Sequence, residues 1–308
     1  MSKKVKIVEV GPRDGLQNEM KTLSVTDRVE FIQRLVKSGL KFVEGGSFVS
    51  PKAIPQMMDS EGVWEGIKNL KEDFSFLVPN ERGLERAIFA KVKSISVFTA
   101  TSNEFNQKNI GMSVKESLTV IKDLVPKAKE KLKKVRIRGY ISTAFGCPYE
   151  GPQKPHATVK ILNDLFRMGC DEVSIGDTIG VAHPEDVKKM IGLLRRNKHF
   201  KKIALHFHDT RGMALVNIKT ALDLGIRIFD SAIGGLGGCP YATGSSGNVA
   251  TEEVIWLLKG YGFSTGVSLE DLLETSKWIE TKIERRLRSK LYLSQPKRLF
   301  YGGRGRES

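Results

Sequence analysis

Val5-Lys6-Ile7-Val8-Glu9-Val10, a short run rich in β-branched residues, gives way through the glycine-flanked turn Gly11-Pro12-Arg13-Asp14-Gly15 to a segment of helical periodicity at about Val25 to Ser38. That unit recurs. Strand-like runs follow at Phe42 to Glu44, Phe74 to Val78, Ser94 to Phe98, Val135 to Ile141, Glu172 to Ile175, Ile203 to His206 and Arg227 to Ile233, eight in all. Helical stretches fill the gaps, among them Glu85 to Lys91, Val114 to Lys131, Thr158 to Met168, Pro184 to Arg195 and Met213 to Leu224. Ser24 or Thr26 suits the N-cap of the first helix, and Gly39, Gly169 and Gly225 sit where a left-handed C-terminal residue is wanted.

Eight such units predict an α/β chain folded as a (β/α)8 TIM barrel, since an open doubly wound sheet has fewer strands and a phosphate loop after the first. The barrel is expected over residues 1–266, with additional C-terminal helices as an appendage over 267–294 and a flexible tail over 295–308. The amphipathic segment Leu269 to Leu291 suits at least one further helix, packed across the barrel or against a second subunit.

With 308 residues, 40% hydrophobic and 28% charged, the chain is long enough for one large core and too apolar for disorder. The opening Met1-Ser2-Lys3-Lys4 runs into an apolar stretch too short for a signal peptide, and no run approaches a membrane span, so a soluble, cytoplasmic protein is expected. Cysteines at 147, 170 and 239 show neither CxxC spacing nor disulfide-scaffold density. The net charge of +15 attracts anions, nucleic acid or a phosphate-bearing ester alike. Its spread along amphipathic segments such as Lys127 to Lys134 speaks for solvated helix faces rather than a nucleic-acid surface.

In such barrels the working residues lie at the C-terminal ends of the strands, and the unusual polar residues fall there. Strand 1 ends in Arg13-Asp14, strand 2 in Glu44, strand 6 in Gly176-Asp177-Thr178 and strand 7 in His206-Phe207-His208-Asp209. Residues two apart in a strand share a face, so His206 and His208 present two imidazoles while Phe207 turns away. Such a pair is also commonly just hydrogen-bonded. Asp14 adds a carboxylate, giving a divalent ion mixed oxygen and nitrogen ligands; alternatively it caps its turn or pairs with Arg13. Arg13 suits a thioester oxygen on which negative charge develops, or else a structural ion pair with Glu44 or Asp177. After strand 8 the glycine-rich Gly234 to Gly238 and Gly244 to Gly247 imply a mobile loop. Its Cys239 suits proton transfer if the loop closes, or simple burial. Cys147, in a second Gly-Cys-Pro-Tyr, is read as structural. Asn248 is either a metal ligand or the N-cap of the helix that follows.

Glu9 to Glu19, Ser47 to Lys52, Gln107 to Ile110, Gly146 to Gly151, Gly176 to Gly180, His206 to Thr210 and Gly235 to Ala242 resemble, in order, the landmarks of hydroxymethylglutaryl-CoA lyases. Arg13-Asp14 and His-x-His are shared with the wider set of barrel metallolyases and Claisen-type synthases; Gly235 to Ala242 is specific to the lyases. The resemblance implies cleavage of 3-hydroxy-3-methylglutaryl-CoA to acetyl-CoA and acetoacetate. It implies Asp14, His206, His208 and Asn248 as ligands to magnesium or manganese, Arg13 at the enolate of the leaving acetyl-CoA, and Cys239 as a proton-transferring thiol. Glu44 and Asp177 become acidic site residues, and Gln17, Ser47, Asn109 and Ser174 the expected substrate contacts. It is compatible with a homodimer and with a place in leucine breakdown or ketone-body formation. Two departures stand out: Gly45-Gly46, where bulkier Ala or Thr is usual, and Arg211, where tyrosine is frequent. The first is expected to widen the rim beside Glu44 and so to bear on the acyl group accepted, a different 3-hydroxy-3-methyl acyl-CoA included.

Competing readings are an acetyl-CoA-dependent Claisen synthase on the same barrel, a ferrous oxygenase built on two histidines and a carboxylate, and, outside catalysis, a basic nucleic-acid-binding module or an inactive barrel scaffold. Synthases carry further C-terminal domains, oxygenases of that kind use all-β folds, and an intact polar rim argues against a non-catalytic protein.

Overall fold

A computed structural model describes residues 4–238 and 247–295. Eight parallel strands close into a barrel in chain order: β1 (Lys6–Glu9), β2 (Phe42–Ser47), β3 (Asp73–Leu77), β4 (Ser94–Ala100), β5 (Arg136–Ser142), β6 (Glu172–Asp177), β7 (Ile203–Phe207) and β8 (Ile228–Ser231). β1 closes the ring, pairing Lys6 through Glu9 with Ile228 through Ser231 of β8 and Glu9 with Val43 of β2. The helices are α1 (Val25–Lys37), α2 (Ser60–Ile67), α3 (Glu81–Ala90), α4 (Asn103–Ile110), α5 (Val114–Lys131), α6 (Pro155–Met168), α7 (Pro184–Leu194), α8 (Ala214–Asp223), α9 (Thr251–Gly260), α10 (Leu269–Ile283) and α11 (Lys290–Leu293). The expected (β/α)8 barrel is therefore the fold. Among the described residues no helix is long and apolar enough to cross a membrane.

Helix ends follow their local chemistry. Ser24, not Thr26, caps α1 by accepting from the Asp27 amide, and Gly39, Gly169 and Gly225 all take positive φ. Strands β2, β4 and β6 run two or three residues beyond their apolar runs, because Gly46 still pairs with Phe76 and Gly176 with His206. Ladder hydrogen bonds need no β-branched side chain. α2 carries two glycines and reads weakly as a helix in isolation; Asp59 caps it, and its Val63, Trp64 and Ile67 are buried in the core.

The segment Leu269 to Leu291 holds more than one helix. α10 ends at Ile283, where Glu284 adopts a left-handed conformation, and α11 follows separately. α10 covers α1: Trp278 stacks on Phe31 at 6.1 Å between ring centroids, Arg34 lies over the same indole, and Lys282 Nζ meets Asp27 Oδ1 at 2.6 Å. Leu272, Ile279 and Ile283 join the apolar core of the barrel helices. Of the expected tail, Gln295 ends the described chain; residues 296–308 lie outside it.

The barrel lumen is not uniformly apolar. Arg138 on β5 is ion-paired with Glu172 of β6 at 2.9 Å and with Asp230 of β8 at 2.6 Å, and Lys6 and Arg136 meet Glu172 from the N-terminal end. This column of charge ends beneath the C-terminal rim.

Candidate active site

β1 leaves the barrel at Val10 and winds into a tight π-helical turn, Gly11–Gly15, that sets Arg13 and Asp14 side by side on the rim. The Arg13 guanidinium donates from Nε to Glu44 Oε2 at 2.6 Å and from Nη1 to Asp14 Oδ1 at 2.7 Å. Of the alternatives open for Arg13, the ion pair is with Glu44 rather than Asp177. Burial opposes its charge, but Glu44 and Asp14 outweigh that and hold its pKa above the ordinary value. Glu44 is fully buried, and its other oxygen accepts from Ser96 Oγ at 2.7 Å. One Glu44 oxygen thus fixes Arg13, and the other is tied to Ser96.

At the end of β7, Phe207 packs against Phe145 while His206 and His208 face the cavity, as the period of two requires. The ligating atoms of Asp14, His206 and His208 all lie within 4.8 Å of one another. Burial would raise the Asp14 carboxyl, but Arg13 and the two imidazoles hold it well below the usual range. His208 is pushed down to about 4 by burial and by the neighbouring His206, against the pull of Asp14, so its imidazole is neutral.

Asn248 completes the group. Antiparallel to His208 and preceding α9, it is not the N-cap, a position held by Ala250. Its Nδ2 donates to Asp14 Oδ2 at 2.7 Å and to the Leu236 carbonyl at 3.1 Å, while its Oδ1 is buried with no hydrogen-bond partner among the described residues, as is His208 Nδ1. Two orphaned buried polar atoms beside a carboxylate and two imidazoles are what a divalent cation with mixed oxygen and nitrogen ligands would satisfy, so the residues fit such an ion. Gly237 makes this packing feasible: at φ +98° it has no Cβ, and one there would stand 2.8 Å from Asn248 Nδ2.

Arg13, Asp14, His206 and His208 line a cavity of about 280 Å³, whereas Glu44 and Asn248 are not among its lining residues. Its polar wall holds Arg13, Asp14, Gln17, Asn109, His206 and His208, and its apolar wall Val49, Ile54, Leu77, Phe98, Phe105 and Ile110. Gln17 and Asn109 thus lie where substrate contacts were expected. Ser47 and Ser174 do not line it: Ser47 Oγ accepts from the Val49 amide, and Ser174 Oγ donates to Asp230 Oδ2 at 2.8 Å. Asp177 does not line it either, since its oxygens accept from the amides of Val181 and Ala182 and anchor the turn after β6. Burial lifts its pKa above the ordinary value against those hydrogen bonds. Cys147 is structural, its Sγ donating to Ser102 Oγ and accepting from the Tyr149 amide. Cys239 and the rest of 239–246 lie outside the described residues. The stems of that loop are clasped, the Gly247 amide donating to the Gly237 carbonyl at 3.0 Å.

One expectation needs correcting. Gly45 and Gly46 do not widen the rim, because a bulge between Glu44 and Gly46 turns their missing Cβ positions outward. A Cβ on Gly45 would meet Phe76, and one on Gly46 would lie 2.8 Å from Ser60 Oγ and 3.0 Å from Arg28 Nη2. Gly46→Thr is therefore expected to cost about 1–3 kcal/mol by overpacking, read as a lower urea midpoint, with KM for the acyl ester unchanged. A changed KM with unchanged stability would restore the glycines to the rim. Arg211 also works away from the cavity, donating to the carbonyl of Ile179 at 2.7 Å and so bracing the turn after β6.

Asp230 and Tyr140 are the site residues that the sequence reading does not reach. Tyr140 lines the cavity and lies under the Arg13 guanidinium, 5.7 Å from ring centroid to Cζ. Asp230 sits behind His206, its Oδ2 3.3 Å from Nδ1. The only sign of it was an acidic residue in the middle of an apolar strand.

The chain matches the model of the HMGL-like family over residues 4–279. It is 45% identical over 289 residues to a hydroxymethylglutaryl-CoA lyase of Bacillus subtilis (strain 168), covering 94% of this chain and 96% of that relative. Among solved structures, a Bacillus subtilis HMG-CoA lyase superposes with a TM-score of 0.91 at 44% identity, covering 95% of this chain and 99% of that one. An HMG-CoA lyase from Acinetobacter baumannii, solved with coenzyme A and 3-methylmalate, superposes at 0.90 with 32% identity and 98% coverage of both chains. A match running from the bridge before β1, through every barrel strand and most of α10, takes in the whole barrel and every described rim residue, and the chain belongs to the HMGL-like family.

Proposed function

We propose that this chain is a divalent-metal-dependent carbon–carbon lyase that cleaves 3-hydroxy-3-methylglutaryl-CoA to acetyl-CoA and acetoacetate. The observation that carries it is the set of Asp14, His206 and His208 beside a fixed guanidinium in one cavity, with Asn248 hydrogen-bonded to Asp14, in a chain whose relatives at 42–45% identity are hydroxymethylglutaryl-CoA lyases. Magnesium or manganese is the ion that the oxygen-bearing ligands favour, with Asp14, His206, His208 and Asn248 as its holders. Bound there, such an ion supplies Lewis acidity toward the oxygens of the acyl group.

The chain's own residues supply the rest. Cleavage removes the proton of the C3 hydroxyl, turns that C–O into a ketone, and sends the electrons of the C2–C3 bond into a thioester enolate, which takes a proton at C2. Arg13, locked by Glu44 and permanently charged, is placed to donate to the enolate oxygen without reorganising as charge develops there. Glu44 and Asp177 act by holding Arg13 and the β6 turn. Gln17 and Asn109 orient the acyl group from the cavity wall, and Cys239 is the proposed proton donor to C2. The +15 charge favours an anionic ester carrying phosphates, and we place the chain in the cytoplasm as a homodimer acting on free acyl-CoA, away from nucleic acid and membranes.

The test is to strip the protein of metal with a chelator, add hydroxymethylglutaryl-CoA and follow acetoacetate. Production is expected to return with magnesium or manganese and to be lost in His206→Ala and Cys239→Ala. Bound metal with no acetoacetate would move the search to other 3-hydroxy-3-methyl acyl-CoA esters.

A further inference from the structure

We propose that Asp230 is the positioning residue that fixes the tautomer and ring plane of His206, so that Nε2 presents its lone pair to the cavity; the proposal rests on the reading of His206 as a metal ligand. Asp230 stands level with His206 in the β7–β8 ladder. Its side chain is completely buried, and each oxygen is committed. Oδ1 accepts from Arg138 Nη2 at 2.6 Å, while Oδ2 accepts from Ser174 Oγ at 2.8 Å and faces His206 Nδ1 at 3.3 Å. A carboxylate against Nδ1 stabilises the tautomer with the proton on that nitrogen and leaves Nε2 unprotonated.

The arrangement is asymmetric. Among the described residues no carboxylate hydrogen-bonds the His208 ring, whose unpartnered Nδ1 is one of the two atoms a cation would satisfy. Among those residues only His206 of the two imidazoles is backed by a carboxylate, and that carboxylate is itself held by the guanidinium of Arg138, which Glu172 holds from below. The buried charge column of the lumen thus ends on a ring nitrogen of the site. Orienting carboxylates of this kind typically change metal affinity by about 10–100-fold when removed.

The experiment uses the full-length protein, metal-free and loaded with Mn²⁺, and needs no substrate, so it is independent of whether hydroxymethylglutaryl-CoA is the ester cleaved. Mn²⁺ binding is measured by electron paramagnetic resonance in the parent, Asp230→Asn and Ser174→Ala, and the ring nitrogens of ¹⁵N-labelled histidine are read by NMR at alkaline pH. Expected are a parent His206 protonated at Nδ1, a loss of Mn²⁺ affinity of about 10–100-fold in Asp230→Asn, a smaller loss in Ser174→Ala, which keeps the carboxylate and its Arg138 pair, and a redistribution of the His206 tautomers in Asp230→Asn. A parent His206 protonated at Nε2 overturns the proposal even if Asp230→Asn fails to fold. So does an Asp230→Asn protein that binds Mn²⁺ within about twofold of the parent, well below the change expected of an orienting carboxylate. A parent that takes up no Mn²⁺ sinks the metal reading, and the tautomer in the metal-free protein still decides the role of Asp230.

Discussion

Arg13→Gln is expected to lower kcat by about 10³-fold with little change in KM, the size of effect seen when a preorganised donor to a developing oxyanion is removed. The expectation follows from how the side chain is held. Two of its nitrogens grip one oxygen of a fully buried Glu44 and a third grips Asp14, so the guanidinium cannot follow the substrate and is aimed before it arrives. An interaction that strengthens only as charge moves onto the thioester oxygen acts on kcat. Arg13→Lys should rescue poorly, because a lysine ammonium cannot span Glu44 and Asp14 as the planar fork does. Removing Arg13 also strands Glu44 without its counter-charge, at a cost of roughly 3–5 kcal/mol. Arg13→Gln combined with Glu44→Gln should therefore recover stability in urea but not turnover. Steady-state kinetics at saturating ester and metal decide the matter: a kcat within about tenfold of the parent would make Arg13 a structural ion pair only.

The barrel was legible because short runs rich in β-branched and apolar residues alternate with segments of helical period, several of which carry recognisable ends such as Ser24, Gly39, Gly169 and Gly225. The rim was legible in part for the same reason: a strand end fixes where a side chain goes, so Arg13, Asp14, Glu44, His206 and His208 could be placed from local pattern alone. What escaped the sequence depends on pairings distant in the chain. Asn248 meets Asp14 across 234 positions, and only the family resemblance favoured ligand over N-cap for it. Asp230 is defined by Arg138, 92 positions away, and by a ladder register that no local period encodes. The directions of Ser47, Ser174 and Asp177 turn on hydroxyl rotors and turn amides, and the meaning of Gly45-Gly46 on a bulge.

Stability in urea is expected to fall as pH rises from about 4.5 to about 7, and most of that slope should vanish in Glu9→Gln with Glu252→Gln. Both glutamates are fully buried, and burial is the main cause lifting each from 4.5 to about 7 against the hydrogen bonds they accept. Glu9 accepts from the amides of Gly11 and Ile233 and from Thr251 Oγ1; Glu252 accepts from the Gly234 amide and from Ser276 Oγ. A group whose folded pKa lies above its unfolded value binds its proton more tightly when folded. The stability it contributes is thus fully present below about 4.5, lost as pH rises toward about 7 and flat beyond, roughly 3 kcal/mol for each carboxyl. Asp14 and Asp230, whose pKa values are depressed, act oppositely and only in more acidic solution, below this window. His206 and His208 shift in opposite directions within it, so the difference between parent and double variant isolates the two glutamates. Glutamine fits Glu9's place, since its oxygen can take both amides while its nitrogen donates to Thr251. The two carboxyls tie down the turn that carries Arg13 and Asp14 and the root of the glycine-rich loop, so the slope measures how firmly the rim is held. An equal slope in parent and double variant would mean that these carboxyls stay ionised across the window.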